Sequence, residues 1–372
     1  MNIVFYVSGF AETAGGVESF ILNAFDSFKN CSEHNIKLLT RFAYTDSVFY
    51  KTFCDKGYTA ESIGIQHLTP FNANLFKERL AHFFRENEVD ILHIHGTDEP
   101  YIVSLAKKSG IKRVILHAHT PSMELNGRNK NVGKIKKICR RKNEKKADLL
   151  VGCSYSVLQA AYSNKKKNMN LVIANGVDVD KFRFDNKKRL EIRKKFDIEK
   201  NFVVGHVGRF FDVKNHKFLI RIFNDLKNRK STSKLILIGT GPLENEIKAL
   251  VKSLKLENDV IFLGERNDIS TLLNAMDCII FPSKFEGLSI TLVEAQCNGL
   301  PCVVSDGVSD ETKITDLLCK LSLNEDVKNW SNLIISCGET SNRVKYAKEV
   351  IVAGYDIGNI KERLLSIYSM PV

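Results

Sequence analysis

Short apolar runs alternate with longer polar stretches of helical character along the whole chain. In the first half the apolar runs are NIVFYVS, KLLTRFAY, DILHIHG, VILHAH, DLLVGCS and LVIAN. The second half repeats the rhythm with FVVGHVG, KLILIG, VIFLG, CIIFPS and PCVVS. Apolar strands that alternate with helices are typical of βαβ units, whose parallel sheets are buried on both faces. The pattern therefore predicts an α/β protein in which one architecture is built twice.

A charged stretch with little strand character, FRFDNKKRLEIRKKFDIEKN, separates the two series of strands. The length of 372 residues also favours two domains. We place the boundary near Phe184 to Asn201, with a first domain at residues 1–184 and a second at 185–345. The last part of the chain has helical character around AGYDIGN and no strand. We expect residues 346–372 to form a C-terminal helix that packs back on the first domain.

Two pairs of residues suggest anion binding at the carboxyl ends of strands, where doubly wound sheets bind their ligands. Gly15 and Gly16 open a helix after the first strand, where backbone amides can approach an anion closely. Arg209 follows the first strand of the second domain, and Lys214 lies five residues later. Two cations can converge there on one diphosphate. The G-x-G-x-x-G fingerprint of dinucleotide-binding proteins does not follow the first strand.

Two carboxylates lie eight positions apart in FEGLSITLVE. Glu286 falls in a loop, and Ser289 or a neighbour is expected to cap a helix that runs through Glu294 before NGLP ends it. Amides near Leu288 and Ser289 would face outward at the N-terminus of that helix, where a diphosphate is favoured. One carboxylate could accept hydrogen bonds from hydroxyls at one end of the ligand, and the other carboxylate from hydroxyls at the opposite end. A ligand with hydroxyls at both ends and a diphosphate between them is a nucleotide sugar.

Two histidine pairs end neighbouring strands, His93 with His95 and His117 with His119. No carboxylate stands nearby at ligand spacing, so a metal site is disfavoured. We expect His119 to be a polar contact to a substrate and His93 to be a core histidine. The D-x-D at 178–180 follows the turn signal NG and is interpreted as a structural turn.

The motifs in combination resemble the GT-B glycosyltransferases of family 4. They are the glycine pair, Gly208-Arg209 with Lys214, NGVDVDKF at the domain junction, and E-x7-E in FEGLSITLVE. The stretches HAHTP, GHVGRF, RNDISTLLNAMDCIIFPS and VEAQCNGLPCVVSD resemble the bacterial exopolysaccharide, capsule and O-antigen branch of that family. The resemblance implies two Rossmann-like domains with parallel sheets facing a central cleft. It also implies a retaining transfer from a nucleotide diphosphate sugar, usually without a metal.

The resemblance further implies roles for individual residues. It assigns the diphosphate to Arg209 and Lys214, the sugar hydroxyls to Glu286 and the ribose to Glu294. The implied donor-binding residues are Gly15, Gly16, Arg209, Lys214, Arg266, Asn267, Glu286, Gly287, Leu288, Ser289 and Glu294. The residues implied to act in catalysis are Glu286, His119, Arg209 and Lys214. Gly16 would offer its amide, and Arg266 or Asn267 would contact the base through the backbone. Thr120 stands where related sequences often carry Asn.

The formal charge of +12 is concentrated in one segment, residues 128–146, where ten lysines and arginines accompany one acid, Glu144. Three interpretations remain open: a solvated helix face, a surface for anionic membrane lipids, and a nucleic-acid patch. Nucleic acid is the least favoured, because no aromatic residues interleave the charges and no nucleic-acid-binding motif accompanies them. We favour attachment to an anionic membrane surface.

Cysteine usage and the N-terminus indicate the compartment. The nine cysteines form no C-x-x-C pair and are typical of a reducing environment. The start MNIVFYVSGF has no basic n-region, and no window approaches about 18 uninterrupted apolar residues. We expect a cytoplasmic protein that is peripheral at the inner face of the cytoplasmic membrane.

These observations lead to one main functional hypothesis and several alternatives. We expect a retaining glycosyltransferase that moves a sugar from a nucleotide diphosphate sugar to a lipid-linked saccharide in surface polysaccharide biosynthesis. The resemblance to the family favours UDP as the nucleotide. No cofactor is expected to be required. A soluble oligosaccharide acceptor and a noncatalytic sugar-nucleotide-binding protein are the alternatives. An oxidoreductase would need the missing dinucleotide fingerprint. A phosphorylase of this architecture would carry a lysine for a pyridoxal cofactor in a far longer chain.

Overall fold

A computed structural model describes residues 1–9, 16–29, 31–119, 130–163, 170–337 and 342–370. The chain divides into two compact units. The first unit joins Met1–Gly176 to Ile357–Val372, and the second unit is Val177–Asp356. Because the segment from Ile357 returns to the first unit, both ends of the chain belong to the same unit.

The first unit is built on a seven-stranded sheet in which all paired strands are parallel. Its strands are β1 (Asn2–Val7), β2 (Asn35–Thr40), β3 (Ala60–Ser62), β4 (Ile91–His95), β5 (Arg113–Ala118), β6 (Leu149–Gly152) and β7 (Asn170–Val172). Its first six helices are α1 (Gly16–Phe28), α2 (Val48–Asp55), α3 (Ala73–Glu86), α4 (Ile102–Lys108), α5 (Lys130–Lys146) and α6 (Tyr155–Ala161). The strand order is β3-β2-β1-β4-β5-β6-β7.

The second unit is built on a six-stranded sheet that is also parallel throughout its pairs. Its strands are β8 (Phe202–Val207), β9 (Ser233–Ile238), β10 (Val260–Phe262), β11 (Cys278–Phe281), β12 (Cys302–Ser305) and β13 (Leu318–Leu321). Its helices are α7 (Val179–Phe182), α8 (Asn186–Lys195), α9 (His216–Arg229), α10 (Glu244–Ser253), α11 (Ile269–Ala275), α12 (Ile290–Cys297), α13 (Val327–Cys337) and α14 (Tyr346–Val352). The strand order is β10-β9-β8-β11-β12-β13.

Both sheets reverse their strand order beside their first strand, between β1 and β4 and between β8 and β11. In open parallel sheets this switch point opens a crevice outside the carboxyl ends of the strands. The two doubly wound α/β units confirm the predicted fold class. All of the strands predicted from apolar runs are present, although β2 begins and ends earlier than KLLTRFAY.

Local sequence explains how the second unit begins. The carboxylate of Asp178 accepts a hydrogen bond of 3.0 Å from the Lys181 amide and starts α7. The first aspartate of D-x-D therefore caps a helix, which confirms the structural interpretation of that motif. Val177, Val179 and Phe182 are buried in the core of the second unit.

The unit boundary falls between Gly176 and Val177, not at 184/185 as predicted. The reason is that the NGVDVDKF segment contributes apolar side chains to the second core before the charged stretch begins. The C-terminal boundary also differs, because α14 belongs to the second unit and the return to the first unit begins at Ile357.

The last helix, α15 (Ile360–Tyr368), packs on the first unit. Ile360, Leu364 and Ile367 are buried with the apolar face of α1 and the inner face of the sheet. The Tyr368 hydroxyl lies 2.8 Å from Nδ1 of His93. Both apolar packing and a buried polar contact therefore fix α15 on this unit.

Replacing Leu364 by Ala should destabilise the first unit selectively. Leu364 is fully buried, and truncating such a side chain costs about 2–5 kcal/mol. The single tryptophan, Trp330, lies in the core of the second unit. The midpoint of urea unfolding measured by circular dichroism should shift to a lower urea concentration. The midpoint measured by Trp330 fluorescence should not change.

The exposed Leu190, with 59% of its surface accessible, provides a control. Leu190→Ala should change stability by about 0.5 kcal/mol or less. An equal shift of the Trp330 transition in Leu364→Ala would contradict the assignment of α15 to the first unit.

Candidate active site

An ion pair joins two of the predicted site residues in the second unit. Lys214 ends a 3₁₀ turn (Asp212–Lys214) after β8, and Glu286 lies in the loop after β11. The Lys214 ammonium donates to Oε2 of Glu286, and each side chain is 19% exposed. β8 and β11 flank the switch point of the sheet. The structure thus brings together a cation and a carboxylate that sequence analysis identified separately.

Backbone contacts hold the Glu286 loop in place. The Glu286 amide donates to the Gly307 carbonyl at 2.9 Å, and the Ser309 amide donates to the Glu286 carbonyl at 2.9 Å. A Cβ at Gly307 would lie 2.5 Å from the Lys284 carbonyl oxygen, so only glycine permits the two loops to approach so closely. The carboxylate of Glu286 is therefore presented from a loop that is tied on both sides.

Arg209 is exposed in the loop that follows β8. Its guanidinium carbon lies 5.3 Å from the ring centre of Phe211, whose surface is 43% accessible. Stacking on an aromatic face restricts the orientation of a guanidinium without occupying its hydrogen-bond donors. Sequence analysis missed Phe211; the signal available was an aromatic residue two positions after the candidate arginine.

The G-x-G turn after β9 supports the Arg209 loop. A Cβ at Gly239 would lie 2.3 Å from the Gly208 carbonyl oxygen, and φ of Gly239 is 128°. The Phe210 amide donates to the Thr240 carbonyl at 2.9 Å. The turn therefore forms a tight connection beside the Arg209 loop.

Helix α12 begins directly after the Glu286 loop. Ser289 occupies the N-cap position, as predicted, but its hydroxyl makes no capping hydrogen bond within the described chain. The first amides of a helix lack intrahelical partners and attract anions. Gly287 and Leu288 connect this N-terminus to Glu286.

Glu294 lies within α12 and is partly exposed. Burial raises the pKa of its carboxyl to about 8, and the charge of Lys181 opposes that shift. At neutral pH this carboxyl is therefore mostly protonated and can donate a hydrogen bond as well as accept one. Lys181 comes from α7, which packs against α12. Sequence analysis missed Lys181, since its proximity to Glu294 is a tertiary contact.

The loop after β10 carries Arg266 and Asn267. Arg266 donates through Nε and a terminal nitrogen to both carboxylate oxygens of Asp268, at 2.8 and 2.7 Å. The Gly264 carbonyl accepts a hydrogen bond of 2.7 Å from the Gly239 amide. This loop therefore lies beside the G-x-G turn, and the Arg266 side chain is already paired.

Three of the predicted residues belong to the first unit. Gly15 lies outside the described residues. Gly16 opens α1, and its carbonyl accepts a hydrogen bond of 3.2 Å from the side-chain amide of Asn175. His119 follows β5 and contacts His95, with 2.9 Å between His119 Nε2 and His95 Nδ1. Sequence analysis did not identify Asn175.

The four strand-end histidines form one cluster, and desolvation of the imidazoles lowers the pKa of each ring. The pKa falls to about 3 for His93 and for His119, and well below the usual range for the other two. A hydrogen bond with Asn175 opposes the shift of His119. All four imidazoles are therefore neutral at physiological pH. His93 is fully buried and contacts Tyr368 and His117, which confirms it as a core histidine.

Ring nitrogens of His93, His95 and His117 lie within 4.8 Å of one another, which raises the question of a metal ion. The His93 ring stacks on the His95 and His117 rings, at interplanar angles of 17° and 20°, and the His95 and His117 rings are tilted by 37°. Nearly parallel rings hold their nitrogen lone pairs in separate planes, whereas an ion needs several nitrogens at about 2.1 Å. The rings would have to turn, and the hydrogen bond between His93 and His117 would have to break, before they could share one ion.

No helix in the described part of the chain is long and apolar enough to span a bilayer.

In doubly wound parallel sheets ligands bind beyond the carboxyl ends of the strands, and the second unit carries Arg209, Lys214 and Glu286 there. Residues 188–349, within the second unit, match the family model described as glycosyl transferases group 1. HepE from Anabaena, solved with UDP and glucose, superposes with a TM-score of 0.79 at 18% identity and covers 99% of each chain.

Two curated relatives share clear sequence similarity. The putative glycosyltransferase EpsF of Bacillus subtilis is 29% identical over 307 residues, which is 80% of each chain. The UDP-Gal:alpha-D-GlcNAc-diphosphoundecaprenol alpha-1,3-galactosyltransferase of Escherichia coli is 29% identical over 208 residues. That match covers 53% of each chain, about half the length of the Escherichia coli enzyme. The chain is a glycosyltransferase with the GT-B fold.

Replacing Glu294 by Gln should flatten the pH dependence of stability. The carboxyl has an ordinary pKa of 4.5 and a folded-state pKa of about 8. Between these values the folded state holds a proton that the unfolded state has lost, so stability falls as pH rises. Between about pH 5 and pH 8.5 the Tm of the parent should therefore fall more than that of Glu294→Gln.

The exposed Glu257 provides the matched control. Glu257→Gln should follow the pH profile of the parent in differential scanning fluorimetry. Identical slopes for the parent and for Glu294→Gln would contradict the raised pKa.

Proposed function

We propose that this glycosyltransferase belongs to family 4 and transfers a sugar, with retention of anomeric configuration, from a UDP-sugar to a lipid-linked saccharide in polysaccharide biosynthesis. The observation that carries the proposal is the Lys214–Glu286 pair beside Arg209 at the switch point of the second sheet. The name of the Escherichia coli relative gives that enzyme a UDP-sugar donor and a diphosphoundecaprenol-linked acceptor. HepE was solved with UDP and glucose, which supports the same donor class.

Stabilisation of the leaving group is the main task of such a site. The bond between the anomeric carbon and the diphosphate breaks, and a bond to the acceptor oxygen forms on the same face. The acceptor proton goes to a phosphate oxygen of the leaving group. Arg209 and Lys214 supply positive charge where the departing diphosphate gains negative charge. Lys214 is poised for this role because the carboxylate of Glu286 already orients its ammonium.

The remaining site residues bind and orient the donor. Glu286 accepts hydrogen bonds from sugar hydroxyls, and the amides near Leu288 and Ser289 bind the diphosphate. Glu294 holds the ribose, and the backbone of Arg266 or Asn267 contacts the base. For the first unit, taken by itself, the proposal assigns His119 and the Gly16 amide to sugar binding. Because its pKa is about 3, His119 acts as a neutral hydrogen-bonding group and does not deliver a proton.

The proposal includes no metal and no cofactor besides the nucleotide sugar. Two basic side chains can supply the charge stabilisation that a divalent cation supplies to phosphoryl groups in other enzymes. We therefore expect EDTA to leave nucleotide binding and transfer unchanged.

Thermal shifts with UDP, GDP, ADP and their glucose conjugates test the donor site. At 100 times its Kd a ligand adds about 2.7 kcal/mol of stability. Lys214→Met should lower the affinity for both UDP and UDP-glucose at least about tenfold, because a charge-assisted phosphate contact is lost. Glu286→Gln should lower the affinity for UDP-glucose more than the affinity for UDP, because the proposed contacts of Glu286 are with the sugar.

Lys217→Met is the matched control, since Lys217 lies on α9 close to Lys214 in sequence and pairs with Glu246 at 2.6 Å. Its nucleotide response should equal that of the parent. A parent that responds to no nucleotide, or a Lys214→Met variant that responds fully, would refute the donor site. Release of UDP from UDP-sugars with a polyprenyl-diphosphate-linked N-acetylglucosamine would separate an enzyme from a noncatalytic binding protein. Release with a free oligosaccharide alone would favour a soluble acceptor.

We propose that the basic segment 128–146 attaches the first unit to an anionic membrane, in which the acceptor is anchored. Among its described side chains, two cations are already paired: Lys136 with Asp98 at 3.2 Å, and Arg140 with Glu144 at 3.7 Å. The exposed cations of α5 are Lys134, Lys137, Arg141, Lys142, Lys145 and Lys146. These exposed side chains, rather than the paired ones, are available to lipid headgroups.

Reversing charge at Lys134, Lys137 and Arg141 should abolish sedimentation with phosphatidylglycerol vesicles. Each basic residue near an anionic surface contributes about 1 kcal/mol, so three reversals change the affinity by several orders of magnitude. A variant with Lys200 and Lys252 of the second unit reversed should sediment like the parent. Unchanged binding of the triple α5 variant would exclude the basic face as the attachment surface.

A further inference from the structure

We propose that Cys319 and Cys337 of the second unit form a redox-active pair of thiols, which closes to a disulfide under peroxide and links α13 to the edge strand β13. The Cys337 thiol donates a hydrogen bond to the Cys319 sulfur, with 3.8 Å between the two sulfur atoms. Both side chains are half-buried. The inference goes beyond the proposed transfer reaction, because the chemistry of the pair needs neither the donor nor the acceptor.

The topology explains why these two cysteines meet. Cys319 is the second residue of β13, and Cys337 is the last residue of α13. A helix that follows a parallel strand runs back across the sheet, so its C-terminus returns beside the start of that strand. Cys319 is paired in register with Val303, whose side chain lies in the core that α13 covers. The Cys319 side chain therefore points to the face on which α13 packs.

The surroundings of Cys319 favour its thiolate. The hydrogen bond from Cys337 and the charge of Lys313 lower the pKa of the Cys319 thiol to about 6, although burial and Asp316 oppose this shift. The same hydrogen bond raises the pKa of the Cys337 thiol, so the proton of the pair stays on Cys337. The thiolate is the form of cysteine that reacts with peroxide, and a half-buried sulfur is within reach of so small an oxidant.

The cysteines of the core have the opposite character. Cys278, Cys297 and Cys302 are fully buried. Burial raises the pKa of each of these thiols, to about 12 for Cys297. Their thiols are therefore protonated at neutral pH and react slowly. Oxidation should select Cys319 over these three neighbours in the same unit.

The reaction balances with hydrogen peroxide as the oxidant. The Cys319 thiolate attacks one peroxide oxygen, the O–O bond breaks, and the departing hydroxide takes a proton to become water. The Cys337 sulfur then gives up its proton and attacks the resulting sulfenic acid, so that an S–S bond forms and a second water leaves. The two thiols supply the two electrons that reduce the peroxide. A thiol reductant reverses the step by exchange, as expected for a transient disulfide in a reducing compartment.

Closure of the bond requires only a small movement. An S–S bond is about 2.05 Å long, so the two sulfurs must approach each other by about 1.8 Å. Rotation about the Cα–Cβ bond moves a cysteine sulfur by a larger distance. Cys337 also ends its helix, where the backbone is less constrained than in the helix interior. The disulfide therefore forms without rearrangement of the sheet.

The disulfide acts on the loop that holds Glu286. β13 lies at the edge of its sheet, beside β12. Lys320, next to Cys319, donates to the Val308 carbonyl, and the Ser309 amide donates to the Glu286 carbonyl at 2.9 Å. A link between β13 and α13 restricts opening of this edge. The Ser309 amide should therefore exchange its hydrogen more slowly in the oxidised protein than in the reduced protein.

Peroxide treatment of the purified protein tests the pair directly. After a small molar excess of hydrogen peroxide and alkylation of the remaining thiols, a non-reducing digest should contain the Cys319 and Cys337 peptides joined, at a mass two hydrogens below their sum. Dithiothreitol should separate them. Trp330 of α13 reports on the linked element. The Tm followed by its fluorescence should rise by roughly 5–10 °C on oxidation.

Serine variants separate the roles of the two thiols. In Cys337→Ser the hydroxyl can still donate to Cys319, but no second thiol is present. Peroxide should then leave a sulfenic acid on Cys319 that dimedone traps, without a rise in Tm. Cys319→Ser should leave Cys337 unoxidised, because burial still opposes its thiolate. Cys54→Ser removes an exposed thiol of the first unit and is the control, which should form the linked peptide as the parent does.

Three results on the parent protein would overturn the proposal, whether or not the variants fold. In the first, both thiols remain open to alkylation after peroxide treatment. In the second, Cys319 is oxidised but is joined to another cysteine or to none. In the third, both thiols are protected before oxidation and a chelator exposes them, which would assign the two sulfurs to a metal ion.

Discussion

Parallel strand pairing is the constraint on which the site depends. Because every crossover returns the chain in the same direction, each sheet collects the carboxyl ends of its strands at one edge. Arg209 follows β8, Arg266 follows β10 and Glu286 follows β11. In the first unit His119 follows β5 in the same way. Residues far apart in sequence thus become neighbours without any long loop having to carry them.

The ionisable side chains at the second edge have defined partners or surroundings before any ligand binds. Lys214 and Glu286 form an ion pair, Arg209 stacks on Phe211, and burial holds the pKa of Glu294 at about 8. A cation without a partner at that depth would be costly, so the pair stabilises the ligand-free site. On the proposed function, a diphosphate that shared Lys214 with Glu286 would replace part of an existing interaction. Donor binding would then reorganise charge that is already present in the ligand-free site.

The sequence predicted the elements with a local signal and missed those that depend on tertiary contacts. Apolar runs revealed the central strands, but β3 and β13 are three- and four-residue edge strands whose partners alone make them strands. The unit boundary was misplaced because burial of Val179 and Phe182 in the second core is not visible in their charged surroundings. The E-x7-E spacing located both glutamates. The Lys214–Glu286 pair could not be predicted, because it joins residues of two different loops.

A crystal structure of the protein with UDP tests the central claim most directly. The account predicts diphosphate oxygens within hydrogen-bonding distance of both Arg209 and Lys214, and a ribose hydroxyl on Glu294. Bound UDP that leaves these three side chains untouched, with Lys214 still paired to Glu286 alone, would contradict it.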